Sequence, residues 1–145
     1  MTKEENIQQQ LVKKFAFLDG KVRIQRARRL YADVDYANFR KVLEYAVKEL
    51  DFEFLCTMSG LDEGDNFSFI YHLTRYDGVI LSIKTSVPKN NPVLKTITDI
   101  FRGCEIYERE VVDLLGVKVE GLPEGKRYPL PDDWPEGQYP LRKDW

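Results

Sequence analysis

Apolar positions recur at helical spacing in some stretches of this chain and at strand spacing in others. Ile7, Leu11, Phe15 and Leu18 share one helical face, predicting a first helix over 4–18 that Asp19-Gly20 closes. Val22, Ile24, Leu30, Ala32 and Val34 share one strand parity and predict an extended segment from Val22 to Val34. Arg26 and Arg28 interrupt it, so its middle reads as an edge, a bulge or an interface. The strongest stripe comes next. Tyr36, Phe39, Val42, Leu43, Ala46, Val47 and Leu50 predict a helix packed on a sheet, with Asp35 as its capping candidate. Three strands follow, from Phe52 to Met58, Asn66 to Leu73 and Val79 to Val87, the simplest arrangement being an antiparallel meander. Asp62-Glu-Gly-Asp65 and Tyr76-Asp-Gly78 supply the turns between them. Asn91-Pro92 predicts the start of a further helix, with Leu94, Ile97, Ile100 and Phe101 on its buried face and Gly103 at its end. A last helix, from about Glu105 to Leu115, stops at Gly116 as a left-handed residue; a short strand, Val117-Lys-Val119, leads into irregular chain.

These elements predict the α+β class: a two-layer domain over 1–120, its mixed or antiparallel β-sheet packed by helices on one face. Residues 121–145 form an irregular, Pro-rich tail. Five prolines lie between Gly121 and Pro140, and Pro129-Leu-Pro-Asp-Asp-Trp-Pro135 has no periodicity. Proline stiffens the backbone and removes donors, so such a segment costs less entropy to order against a neighbour. Trp134, Tyr139 and Trp145 are aromatic anchors, and Arg127, Arg142 and Lys143 cationic ones. Aromatic residues with Arg are what interface hot spots are made of. The alternative is that the tail covers its own sheet, and different stretches can do each. Arg142 and Lys143 read as exposed charges whose loss leaves the isolated domain's stability nearly unchanged.

Charge narrows the functional classes. The formal net charge of -2 and pI near 5.5 argue against a general nucleic-acid binder. It is unevenly spread: residues 1–48 carry 11 Lys/Arg against 6 Asp/Glu, the remainder 11 against 18. The halves, about +5 and -7, can meet differently charged neighbours. The basic run Arg23, Arg26, Arg28 and Arg29 has Tyr31 as its one nearby aromatic and Asp33 and Asp35 directly behind it. A solvated strand face or a protein interface is favoured there over nucleic acid. No apolar run approaches the roughly 20 residues that span a bilayer. The polar, acidic start Met1-Thr-Lys-Glu-Glu-Asn does not read as a secretory signal, which makes the cytosol the expected compartment.

Chemistry-bearing residues are few. Cys56, Cys104 and His72 cannot alone supply the roughly four ligands of a zinc or iron–sulfur site. Both cysteines read as reduced, half-buried packing residues. His72, in the alternating run Phe67–Thr74, reads as a strand histidine facing solvent or a neighbouring strand, a catalytic base being the lesser view. Glu105, Glu108 and Glu110 open their helix, where its dipole favours carboxylates. Glu110 and Asp113 share a face, and Arg109 and Asp113 are spaced to pair. Surface acids account for this spacing; general acid–base work needs a pocket that the sequence does not indicate.

Tyr107-Glu-Arg-Glu-Val-Val-Asp-Leu-Leu-Gly116, then Arg127, then Pro140-Leu-Arg-Lys-Asp144, resembles the signature of the 30 kDa subunit family of respiratory NADH–quinone oxidoreductase (NADH dehydrogenase, complex I) and of the related energy-converting membrane-bound hydrogenases. Several fixed spacings match together over about 105–145, and the upstream order of elements is compatible with the same domain. The resemblance implies a subunit with no cofactor, no bound metal and no catalytic residue of its own, in an oxidoreductase whose redox chemistry belongs to other chains. Its implied partners are the large catalytic subunit, of quinone-site or nickel–iron hydrogenase type, and a neighbouring iron–sulfur subunit. Nucleic acid and a membrane span are not implied. Its implied location is peripheral, on the cytoplasmic face of the membrane. Glu108, Arg109, Glu110, Asp113 and Gly116 would fix the signature helix and turn; Arg127, Leu141, Arg142, Lys143 and Asp144 would engage the neighbour, with Trp134, Tyr139 and Trp145 beside them.

The sequence departs from the respiratory branch in three places. Gly121-Leu122-Pro123 stands where Gly-His-Pro is common, Leu115 where Phe is usual, and the chain stops at Trp145 where many members continue. The short form and the Leu122 substitution favour the hydrogenase branch, with the 30 kDa subunit of NADH–quinone oxidoreductase as the alternative.

Overall fold

Backbone donors and β-branching decide several elements that apolar spacing leaves open. The computed structural model describes residues 1–145. Helix α1 (Lys3–Lys14) opens on a reciprocal capping box: the Glu5 N–H donates to the Thr2 hydroxyl at 3.1 Å, and the Thr2 N–H to the Glu5 carboxylate at 2.8 Å. It ends before the expected Leu18. Phe15 leaves helical space at φ -127°, ψ 93°, and Ala16–Leu18 form a 3-10 turn. The Phe15 ring then stands edge-on to Tyr45, centroids 5.5 Å apart.

The extended segment expected from Val22 to Val34 is a hairpin of β1 (Val22–Arg26) and β2 (Arg29–Asp33). Arg28 turns the chain at φ 61°, and its N–H donates to the Glu4 carboxylate at 2.6 Å. The arginines that break the strand parity therefore mark a bulge and a turn. Helix α2 (Tyr36–Glu49) buries Phe39, Val42, Leu43 and Ala46 as its stripe predicts. Asp35 sits at the N-cap position, yet its carboxylate accepts from the Asn38 side chain rather than from the backbone.

Strands β3 (Phe54–Asp62), β4 (Asn66–Thr74) and β5 (Ile80–Pro88) follow, close to expectation. The five-stranded sheet has the order β1-β2-β5-β4-β3. It is mixed: β1 and β2 are antiparallel, whereas β5 returns to pair parallel with β2, Leu30 opposite Leu81 and Ala32 opposite Ile83. Local turns set neighbouring strands in sequence, but the β2–β5 pairing is a long-range decision.

Two compact units share these strands: residues 1–57 with 70–85, and residues 58–69 with 86–145. In the first, Leu30, Ala32, Leu73, Leu81 and Ile83 are fully buried. Phe39 of α2 packs on Tyr71 with ring centroids 4.7 Å apart. In the second, the helix expected after Asn91-Pro92 is absent. Val93–Lys95 form β6, parallel to β7 (Lys118–Glu120). Val93, Thr96, Ile97 and Thr98 are β-branched and poor helix formers, and Leu94 and Ile97 are buried from this conformation instead. Helix α3 (Cys104–Leu115) ends as expected at Gly116, which is left-handed at φ 75° and donates to Val111 O and Val112 O. Cys56 is exposed and Cys104 buried, and no disulfide joins them. The half-buried expectation fits neither.

Candidate docking site

The second unit gathers nearly all the residues that the sequence singled out, on α3 and on residues 121–145. Helix α3 turns Cys104, Glu108, Val111 and Leu115 inward. Gly60 of β3 admits the helix: a Cβ there would lie 2.7 Å from Leu115 Cδ1 and 3.0 Å from Val111 Cγ1. Close backbone approach explains that glycine.

Glu108 is 1% exposed. Its carboxylate accepts the Ile97 N–H at 2.9 Å and the Thr96 hydroxyl at 2.6 Å, tying α3 to the chain that follows β6. Burial raises its pKa above the ordinary carboxylate value and outweighs these bonds, which act in the opposite direction. The neighbouring Cys104 thiol is pushed upward, first by desolvation and then by Glu108. It is therefore a packing group and not a nucleophile.

Asp113 is also buried, and it holds the tail. One oxygen accepts from Arg127 Nε at 2.9 Å, the other from the Leu130 N–H at 2.8 Å. Arg127 also donates to Trp134 O at 3.2 Å, and the Trp134 indole N–H to Gln138 O at 2.8 Å. Arg109 pairs with Glu105, not with Asp113, and donates to the carbonyl of Pro123. Glu110 remains half-exposed on α3.

The C-terminal segment closes as a strap. The Leu141 N–H donates to Leu114 O at 3.0 Å, and Arg142 Nε to Leu115 O at 2.7 Å. The Arg142 guanidinium lies 4.6 Å from the Tyr139 ring centroid and 5.3 Å from that of Phe67. Gly116 makes room for this arrangement: a Cβ would lie 2.6 Å from Tyr139 and 2.7 Å from Arg142. Arg142 is thus not the exposed charge that its tail position predicts. Its guanidinium satisfies a helix-end carbonyl and lies within cation–π distance of two rings.

Asp62 fixes the next residue. Oδ2 accepts from the Lys143 N–H at 2.8 Å and from Lys89 Nζ at 2.9 Å, and Oδ1 from the Gly64 N–H at 2.9 Å. Lys89, then these backbone donors, hold its carboxyl far below the usual range. Lys89 also reaches Asp144 at 3.3 Å. Asp62, Lys89 and Thr96 escape sequence reasoning. Asp62 reads only as a turn residue, and its second oxygen serves a residue that no local pattern connects to it.

Apolar groups remain outside this hydrogen-bonded frame. Ile106, Tyr128, Leu141 and Trp145 are 48%, 43%, 50% and 64% exposed. Trp145 stacks on Trp134, centroids 6.2 Å apart. An open groove of about 450 Å³ is lined by Arg102, Gly103, Glu105, Ile106, Arg109 and Tyr128. Of the α3 acids, Glu105 lines this groove, whereas Glu108 and Asp113 are engaged in hydrogen bonds elsewhere. No group of three or more His, Cys, Asp or Glu is placed to hold a metal ion. The His72 Nδ1 lies 2.7 Å from Ser82 Oγ, within the first unit.

Residues 32–145 match the family model described as respiratory-chain NADH dehydrogenase, 30 Kd subunit. The chain is 37% identical over 120 residues to a subunit of the F(420)H(2) dehydrogenase of Methanosarcina mazei, covering 81% of this chain and 74% of that one. It is 34% identical over 152 residues to the membrane-bound hydrogenase subunit beta of Pyrococcus furiosus, covering 99% and 87%. Among solved structures, it is similar to one protein of the membrane-bound sulfane sulfur reductase, an archaeal respiratory membrane complex. That match has TM-score 0.87 and 30% identity, and covers 99% of this chain and 86% of that one.

Proposed function

The chain belongs to the respiratory-chain NADH dehydrogenase 30 kDa subunit family, and from that premise we propose that it is a cofactor-free docking subunit of an energy-converting nickel–iron hydrogenase. In this reading it sits on the large catalytic subunit, beside an iron–sulfur subunit, on the cytoplasmic face of the membrane. The observation that carries the proposal is the family match itself, which takes in α3 and the whole tail. The hydrogenase assignment is favoured by the subunit beta relative, whose likeness extends over 99% of this chain. The family model's own description favours a second reading, the 30 kDa subunit of NADH–quinone oxidoreductase.

Docking divides between two kinds of residue. Glu108, Arg109, Asp113, Arg127, Tyr139 and Arg142 position the surface by internal bonds. Ile106, Tyr128, Leu141 and Trp145 offer the exposed apolar contacts, with Trp134 behind Trp145. Glu110, Lys143 and Asp144 give the surface a charged rim. A desolvated aromatic and aliphatic centre within such a rim is where binding energy concentrates. No helix is long and apolar enough to cross a membrane; in this reading the other subunits of the complex supply the attachment.

The test is to tag the protein in its native cells, solubilise the membranes gently and identify the proteins recovered with it. A nickel–iron large subunit with iron–sulfur and membrane subunits supports the hydrogenase reading. A quinone-site set with NADH-oxidising subunits supports the second. Recovery of the folded protein without any redox subunit refutes both.

A further inference from the structure

The basic run of β1 and β2 is the sequence feature that this function leaves unused. Strand alternation sorts its side chains. Leu30 and Ala32, with Leu81, Ile83, Tyr71 and Leu73, are at most 1% exposed and face the helices, as the Phe39–Tyr71 contact fixes. Their alternates lie on the opposite face of the first unit's sheet. There Arg29 stands beside Ile80, Tyr31 beside Ser82 and Asp33 beside Lys84. Arg23 is opposite Tyr31, its guanidinium 4.2 Å from the ring centroid. His72 joins them through Ser82, and Arg29 lies close enough to oppose its protonation.

This face has a definite chemistry. It carries the cations Arg23, Arg29 and Lys84 against Asp33, and Asp33 reaches Arg23 at 3.7 Å. At its centre the half-buried His72 rests on the buried Ser82, beside one ring capped by Arg23. We propose that this face, resting on the family-based reading above, is a second docking surface that receives an acidic segment of a neighbouring protein subunit. Charge complementarity selects the occupant. Cations with one stacked ring suit carboxylates, and oppositely charged faces steer and register subunits. Nucleic acid is disfavoured by Asp33 within the face and by the lack of further aromatics for stacking bases. The edge position of β1, with a bulge between Ile24 and Arg26, keeps the strand itself from being the recognition element. Recognition is by side chains on the face.

The experiment uses the assembled complex, purified through a tag on this protein. A benzophenone amino acid replaces Ile80, which lies half-exposed beside Arg29, and light-induced cross-links are sequenced. In parallel, Arg23→Glu with Arg29→Glu is compared with wild type for the amount of partner subunits retained. The expected result is a cross-link to a protein segment rich in Asp and Glu, and at least roughly tenfold lower retention by the double variant. A cooperative thermal melt of the double variant checks that it folds, since it loses the solvent-exposed Arg23–Asp33 pair and the Arg23 contact with Tyr31. An Arg23→Gln, Arg29→Gln variant with intermediate retention keeps the test valid if the charge reversal fails to fold. Cross-links to lipid, to nucleic acid or to a segment without acids overturn the proposal, as does unchanged retention. If wild type recovers redox subunits but Ile80 cross-links to none of them, the family-based function stands and the second surface falls. If wild type recovers none, that function fails and the second surface falls with it.

Discussion

Glu108 is the sharpest place to test how the second unit is held together. Replacing it with Ala removes the acceptor of the buried Ile97 N–H and one acceptor of the Thr96 hydroxyl. The hydroxyl keeps Thr98 at 2.8 Å, so the main loss is the Ile97 donor. An unsatisfied buried donor costs about 1–3 kcal/mol. Removing a desolvated carboxylate returns part of that, leaving a net loss of about 2 kcal/mol, or roughly 6 °C in Tm for a chain of this size. Glu108→Gln keeps an oxygen for Ile97 and should stay within about 1 kcal/mol of wild type. The sign of the pH dependence separates the two effects. Burial raises the Glu108 pKa in the folded state. The folded protein thus holds this proton longer than the unfolded chain, and the stability it contributes is full below about 4.5. It is lost as pH rises through the folded value. Urea unfolding of wild type and Glu108→Gln across pH 4 to 8 should show the variant gaining relative to wild type as pH rises. A Glu108→Ala protein as stable as wild type would refute the reasoning. So would a Gln variant as damaged as the Ala variant, or a difference that does not move with pH.

Other perturbations test the strap and the face. Gly116→Ala adds about 1–2 kcal/mol of left-handed strain and drives a methyl into Tyr139 and Arg142; limited proteolysis should cut residues 139–145 faster. Arg142→Ala loses a charged hydrogen bond to Leu115 O, about 2 kcal/mol, so unchanged urea stability would mean the strap is not structural. Asp62 is held far below the usual carboxylate range, so its contribution is present above about 3.8 and lost as pH falls through its folded value. Trp145 fluorescence should report strap release at acid pH in wild type, and Asp62→Asn should abolish that step. Desolvation, aided by Arg29, lowers the His72 pKa below 6.5. Stability tied to His72 is therefore present above about 6.5 and lost as pH falls through the folded value; Asn in its place should flatten that loss in thermal melts.

Where one element's own residues contain the physical cause, the sequence by itself determined the structure. The α2 stripe buries Phe39, Val42, Leu43, Ala46 and Leu50 of the side chains its spacing names, with Tyr36 and Val47 half-buried at its margin, and the Gly116 stop follows from the left-handed freedom of glycine. The 105–145 spacings likewise carried the family likeness. Tertiary structure decided matters whose cause lies far along the chain. Asn91-Pro92 is a good helix opening, yet pairing with Lys118–Glu120 and the Glu108 carboxylate draw Val93–Ile97 into extended form. Arg142 and Lys143 look like equivalent tail charges, but the Leu115 carbonyl and two rings hold the Arg142 side chain while Asp62 binds the Lys143 backbone. The buried positions of Glu108 and Asp113, and the face shared by Arg23, Arg29 and Lys84, exist only once α3 has packed on Gly60 and β5 has paired with β2. Short-range preference is written in neighbouring residues. Which donor meets which acceptor across 81 positions, as for Lys143 and Asp62, is settled only by folding.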